Sequence, residues 1–209
     1  MNVTLDHILW AVPDLEKGIA EFERRSGVRA AIGGRHPGVG THNALLSLEA
    51  GRYFEIIAPD PSQDELTGLG ALLVGLKRPT LLTWAGRTDD IEALASSAHE
   101  AGMTGEPIAM SRRRPDGGEL SWKILQLSGH DGGELVPFFI GWDAGVVHPS
   151  ETTPRGCRLA DFWLEHPDPP SIKRWLDAVG FGRSAVTVRR GEAPVLKAEI
   201  ETPAGRLLL

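Results

Sequence analysis

Apolar residues in this chain change spacing in a recurring order, from strand-like runs to a helical interval of three to four and back to strand-like runs. The stretches "LDHILWAV" (5–12), "TLLTWAG" (80–86) and "RLADFWLEH" (158–166) are strand-like, and each carries a tryptophan, Trp10, Trp84 or Trp163. Behind each comes an Asp-led segment that ends at glycine: Asp14 to Gly27, Asp89 to Gly102 and Asp168 to Gly180. Within them Leu15, Ile19 and Phe22, or Ile172, Trp175, Leu176 and Val179, fall on one helical face. A leading Asp can accept the first free backbone N–H groups, and a closing Gly can take the left-handed cap conformation. The pattern therefore predicts three helices, each burying one side.

After each helix the runs "NALLSLEAGRYFEIIAPD", "LSWKILQLSGHDGGELVPFFIGWD" and "PVLKAEIETPAGRLLL" return to strand spacing, with final hairpin turns expected at Ala50-Gly51, Gly132-Gly133 and Ala204-Gly205. The chain is thus read as α+β, built from tandem βαβββ modules. The first module covers 1–61 and the second 80–143; 158–209 forms a third, shorter βαβ-type module packed with the others. The connectors are 62–79, with a short helix, and 144–157.

Strand alternation selects the candidate chemistry. On the first strand Leu5, His7, Leu9 and Ala11 are expected on one face, and on the last strand of the first module Tyr53, Glu55 and Ile57 share a face. Glu55 sits in an otherwise apolar run, and an ionised carboxylate sunk in a core is expensive unless a metal or a donor compensates it. This points to a metal ligand or a site base. The structural alternative exposes Glu55 or pairs it with Arg52 or Arg35, and makes His7 a core histidine bonded to Asp6.

Composition narrows the class. With 209 residues, 41% hydrophobic and 24% charged, the chain can bury a sizeable core without covalent staples. A single cysteine, Cys157, excludes an internal disulfide and a Cys-based metal cage, so a cytoplasmic location is expected and Cys157 is read as a buried apolar residue. The N-terminus has no basic leader, and no apolar run approaches the roughly 20 residues that span a bilayer, so no membrane association is expected. A net charge of -6 argues against nucleic acid as partner. The one Arg cluster, Arg112 to Arg114, precedes "PDGG" and reads as a solvated hairpin. "GGRHPGVG" (33–40) matches neither a dinucleotide fingerprint nor a phosphate loop and reads as a flexible loop over a cup.

A His on the first strand and a Glu on the last strand of a tandem βαβββ unit resemble the vicinal oxygen chelate superfamily. More closely, "LDHILWAVPDLEKG", "GGRHPGVGTHNALLSL", "YFEIIAPD" and "PFFIGWD...HPS...PRGCRL" are similar to the glyoxalase-like domain family. The resemblance implies a cup-shaped sheet with helices on its outer face and a divalent metal (Mn, Fe, Co, Ni or Zn) in the cup. His7 and Glu55 would hold the metal, and Glu55 or His42 would move a proton. Arg35, His36, Asn43, Trp142 and His148 would bind substrate, with His36, His42 and His148 also candidates for a third ligand.

The second module departs from the pattern. Leu81 or Thr83 stands opposite His7, and Phe138 stands opposite Glu55; in the third module Leu209 falls at the Glu position. The expectation is a divalent-metal-dependent lyase or isomerase acting on a small oxygen-rich, anionic molecule. The rival is a metal-free protein sequestering a small molecule among Trp10, Trp84, Trp122, Phe138, Phe139 and Trp142, and a third option is a scaffold that forms a homodimer through sheet edges.

Overall fold

The computed structural model describes residues 3–64, 66–113, 118–182 and 186–209. The first unit runs β1 (Val3–Ala11), α1 (Leu15–Ser26), β2 (Ala31–His36), β3 (Thr41–Ser47) and β4 (Tyr53–Pro59). A short helix α2 (Leu69–Val74) lies in the connector. The second unit follows as β5 (Thr80–Thr88), α3 (Ile91–Glu100), β6 (Ile108–Arg113), β7 (Glu119–Leu125) and β8 (Phe138–Trp142). After a one-turn helix α4 (Pro149–Thr152) come β9 (Arg158–His166), α5 (Pro169–Ala178), β10 (Thr187–Arg190), β11 (Val195–Thr202) and β12 (Gly205–Leu208). The turn expected over 114–117, with the end of the Arg cluster, lies outside the described residues.

The first two units share one eight-stranded mixed sheet, in the order β2-β3-β4-β1-β5-β8-β7-β6. In each unit the first strand pairs parallel with the last, β1 with β4 and β5 with β8, and the units join where β1 runs antiparallel to β5. The sheet curls until its edge strands β2 and β6 approach each other. The third segment has the same element order but a different sheet, β10-β9-β11-β12, in which β9 lies between β10 and β11. It is therefore not a third copy of the same wall.

Local chemistry explains the helices. The Asp14 carboxylate accepts from the Lys17 N–H at 3.0 Å, and Gly27 closes α1 with φ 78°. Asp90, the second of the two aspartates, caps α3 by accepting from the Ala93 N–H at 2.9 Å. Asp168 makes no such bond to α5, which instead begins with prolines at its first turn, where a missing N–H costs nothing. Between β7 and β8 a 3-10 turn at Gly133–Leu135 replaces the expected tight hairpin.

One core on the helix side of the sheet contains residues of all three segments, including Trp10, Phe22, Phe54, Trp84, Phe139, Phe162 and Phe181. Trp84 is the hinge of that packing. Fully buried, it donates through Nε1 to the Leu135 carbonyl at 3.1 Å and meets Phe162 and Phe181 at ring-centroid distances of 5.3 and 5.0 Å. Gly86 lets Phe181 approach: a Cβ there would lie 2.8 Å from the Phe181 ring. The third segment thus covers the back of the β5 region and leaves the concave face of the sheet open.

Candidate active site

The concave face holds a cavity of about 660 Å³. Strand alternation puts His7 and Leu9 of β1, Asn43 and Leu45 of β3, and Tyr53, Glu55 and Ile57 of β4 on its wall. One expectation fails at the start of β1. Leu5 packs with Val3, Ile8 and Trp10 in the helix-side core, because the β1–β5 register shifts between Leu5 and His7. A bulge at this point flips the side-chain parity, so Asp6 and His7 are both drawn into the polar network.

His7 Nε2 and Glu55 Oε2 face each other at 3.4 Å, both nearly buried. Their outer atoms are tied. His7 Nδ1 lies 2.7 Å from Asp6 Oδ1, and the Asn43 side-chain amide donates to Glu55 Oε1 at 2.7 Å. Asn43 is itself fixed, since its Oδ1 accepts the Gly34 N–H at 2.9 Å, and a Cβ at Gly33 would lie 2.3 Å from that oxygen. The His7 ring stacks on Tyr53, with centroids 4.3 Å apart, and meets Phe138 edge-on at 5.5 Å.

Asp6 is the hidden centre of the arrangement. It is fully buried and takes Trp142 Nε1 at 3.2 Å and His148 Nε2 at 3.0 Å, with Arg87 at 3.6 Å. Burial by itself would raise its pKa, but hydrogen bonds from His148 and His7 outweigh burial and hold the carboxyl well below the usual carboxylate range. An ionised Asp6 accepts the His7 Nδ1–H, which turns the Nε2 lone pair toward Glu55. Two acceptors then converge on a gap that calls for a cation, either a proton on Nε2 or a metal ion.

The donor set fits half of a metal site. Two donors each about 2.1 Å from one ion and at right angles lie about 3 Å apart, close to the observed separation. The carboxylate behind His7 is the outer partner that metal-binding histidines commonly carry. Among the described residues, however, no group of three His, Cys, Asp or Glu converges on a point.

The other predicted residues divide. His36 lines the cavity, its Nδ1 2.8 Å from Thr41 Oγ1 and its Nε2 3.5 Å from the Asn43 amide. Trp142 lines it as well. His42 sits one residue out of phase with Thr41 and Asn43, so it shares the opposite face of β3 with Ala44 and Leu46. Burial lowers its pKa against the pull of Asp60. Arg35 is out of phase with His36 in the same way and bonds Asp60 and Ser62 outside the cavity. His148 reaches Asp6 from behind the wall, its Nδ1 2.7 Å from Ser150 Oγ. Of the aromatic residues considered for a pocket, Trp122, Phe138 and Trp142 line it, whereas Trp10, Trp84 and Phe139 belong to the helix-side core. Asp6 was visible in the sequence only as a structural partner of His7; its adjacency to His7 gave no sign of the bulge. Burial pushes the Cys157 thiol up to about 11, which leaves it no role as a nucleophile near neutral pH.

A family model described as a glyoxalase-like domain matches residues 5–180. The chain belongs to the glyoxalase-like domain family. No functionally curated protein matches the sequence. A hypothetical protein from Staphylococcus aureus has a similar structure, with TM-score 0.73 and 16% identity over 92% of this chain and 88% of its own. Methylmalonyl-CoA epimerase in complex with methylmalonyl-CoA and NH4+ gives TM-score 0.51 and 19% identity over 69% of this chain and 97% of its own. At these identities the likeness is one of fold.

In this glyoxalase-like domain the two half-sites of the sheet can be compared strand by strand. Leu9 pairs with Glu55, and Ala85 pairs with Phe138. Setting Phe138 on Glu55 therefore sets Ala85 on Leu9 and Thr83 on His7. Thr83 and Phe138 both line the cavity, whereas Leu81, the other candidate opposite His7, packs at the helix-side core beyond a second register shift. No described helix is long and apolar enough to cross a membrane.

Proposed function

We propose that this chain is a cytoplasmic, divalent-metal-dependent lyase or isomerase that moves a proton on a small molecule bearing two neighbouring oxygens. The observation that carries this reading is the convergence of His7 Nε2 and Glu55 Oε2 at 3.4 Å on a cavity wall, with their outer atoms held by Asp6 and Asn43. His7 and Glu55 would hold the metal, whose charge would lower the cost of the anion formed when a proton leaves carbon. Glu55 Oε1 accepts one hydrogen bond from Asn43 and keeps a second lone pair, which makes it the atom to take that proton. Asp6 keeps His7 in one tautomer and orientation. A molecule seated against the apolar wall would displace water, which strengthens each of these interactions. A methylmalonyl-CoA epimerase shares the fold, so epimerase chemistry is one that the scaffold accommodates, although fold alone does not assign it.

A second reading is favoured by Thr83 and Phe138 at the other half-site: a metal-free protein that sequesters its ligand, with a proton on His7 between the Asp6 and Glu55 carboxylates. Elemental mass spectrometry of tag-free protein separates the two. Near-stoichiometric metal, lost in folded His7→Ala and Glu55→Ala variants, is expected. Deuterium uptake from D2O by 2-oxoaldehydes, hydroxyketones and acyl thioesters should then fall at least about 100-fold in Glu55→Gln. No metal after reconstitution with Mn, Fe, Co, Ni or Zn sinks the metalloenzyme and leaves sequestration.

A further inference from the structure

The cavity is lopsided. The wall of β1, β3 and β4 carries His7, Asn43 and Glu55, while the strands β6 and β7 across the cup present Met110, Leu120, Trp122 and Ile124; Gln126, His130 and Glu134 join the lining only beyond the end of β7. The rim is apolar too. Leu72 of α2 is 56% exposed and Ile108 of β6 is 61% exposed, yet both line the cavity. Large aliphatic side chains held open at the mouth of a concave site are costly in water unless something covers them.

The rim is also fixed in place. Thr67 Oγ1 donates to the Gly38 carbonyl at 2.6 Å, and the Gly70 N–H donates to the Thr67 carbonyl at 2.9 Å. A Cβ at Gly70 would lie 2.0 Å from the Val39 carbonyl oxygen. The helix α2 is thereby strapped to the glycine-rich turn. Leu72 is presented to the cavity by a braced element.

From this we infer that the ligand has a substantial apolar body, an aryl ring or branched acyl chain, seated between Leu72 and Ile108 against Trp122. Its neighbouring oxygens lie at the His7–Glu55 wall. The inference rests on the same cavity as the proposed function, but it requires no metal. The position that would complete a second half-site is occupied by Phe138, so the loss of ligands from the second unit widens the apolar seat. A ligand of oxygens alone would leave this seat wet.

The test is equilibrium binding, by calorimetry and by quenching of tryptophan fluorescence, of a homologous series of 2-hydroxyketones with growing alkyl tails and one aryl member. Metal-free and metal-loaded protein are titrated in parallel. Affinity is expected to rise about fourfold per added methylene until the seat is full. Leu72→Ser and Ile108→Ser should cut that gain by at least half. Val74→Ser, on the same helix and 58% exposed but not lining the cavity, should keep the full gain. A flat series overturns the inference, and so does a gain equal in all three variants or no binding by any member. If the gain persists in protein that takes up no metal, the apolar seat stands and the metalloenzyme falls. Metal uptake and proton exchange with a flat series give the reverse.

Discussion

The two halves of the large sheet are built alike and equipped differently. β1 with β4 and β5 with β8 are both parallel pairs, and both present alternate residues to one cavity. On the first pair those residues include His7 and Glu55; on the second, Thr83 and Phe138 take their places. The backbone frame thus survives where the chemistry does not, because the frame needs only alternation and a buried face, whereas a polar site needs every donor and acceptor matched. The first half supplies that matching through Asp6 and Asn43, and the second half supplies volume and apolar surface.

The sharpest way to break the comparison is to remove Asp6. Asp6→Ala leaves the His7, His148 and Trp142 nitrogens without their shared acceptor in a buried place, and is expected to cost about 3–5 kcal/mol in urea unfolding. The acid dependence follows from the direction of its shift. Because the folded carboxyl lies below its unfolded value near 3.8, Asp6 contributes stability above that pH, and the contribution is lost as pH falls below about 4. Asp6→Asn should flatten that part of the acid-unfolding curve. An unchanged curve would mean that Asp6 does not anchor the first half.

The next test rebuilds the second half. In Thr83→His/Phe138→Glu a carboxylate replaces a half-buried apolar ring, so the metal-free variant should be less stable than the parent. Metal should restore it: at 100-fold above the dissociation constant, binding to the folded state alone adds about 2.7 kcal/mol. Thermal unfolding with and without Mn or Ni reads this directly. No metal-dependent rise would show that the two strand pairs are not equivalent in geometry. Asn43→Ala probes the first half more gently, since it removes the donor to Glu55 Oε1 and the acceptor of the Gly34 N–H but leaves both proposed ligands in place. Loss of such an outer partner is expected to weaken metal binding about 10- to 100-fold, measured by competition with a chelating dye.

How far the sequence reveals this site depends on which rule sets each residue. Period-two alternation carries Glu55 to the cavity with Tyr53 and Ile57, and it holds because β4 pairs with β3 and β1 without a register shift. The same rule misplaces Leu5, because a bulge at Asp6 leaves no mark in a run of apolar residues. Alternation also separates Asn43 and His36, which line the cavity, from His42 and Arg35, which do not; residue chemistry alone suggested all four. In the third segment the sequence reads as a shorter βαβ-type module; the extra strand β10 (Thr187–Arg190) and the sheet order are not legible in it. That order depends on which edge β10 pairs with, a long-range choice that local pattern does not encode.

The smallest effect is expected from Thr83→Val. Thr83 stands where His7 stands in the other half, so if the second half retained any share in the polar chemistry, its hydroxyl is the group that would carry it. If that wall is only an apolar seat, replacing the hydroxyl by a methyl should leave metal stoichiometry unchanged and shift unfolding by no more than about 1 kcal/mol. Binding of long-tailed ligands should hold or tighten slightly, because the seat becomes more apolar without changing volume. A loss of metal, or a drop in proton-exchange rate with stability intact, would instead make Thr83 a working part of the site. The contrast between a polar half and an apolar half would then have to be redrawn around one shared set of ligands.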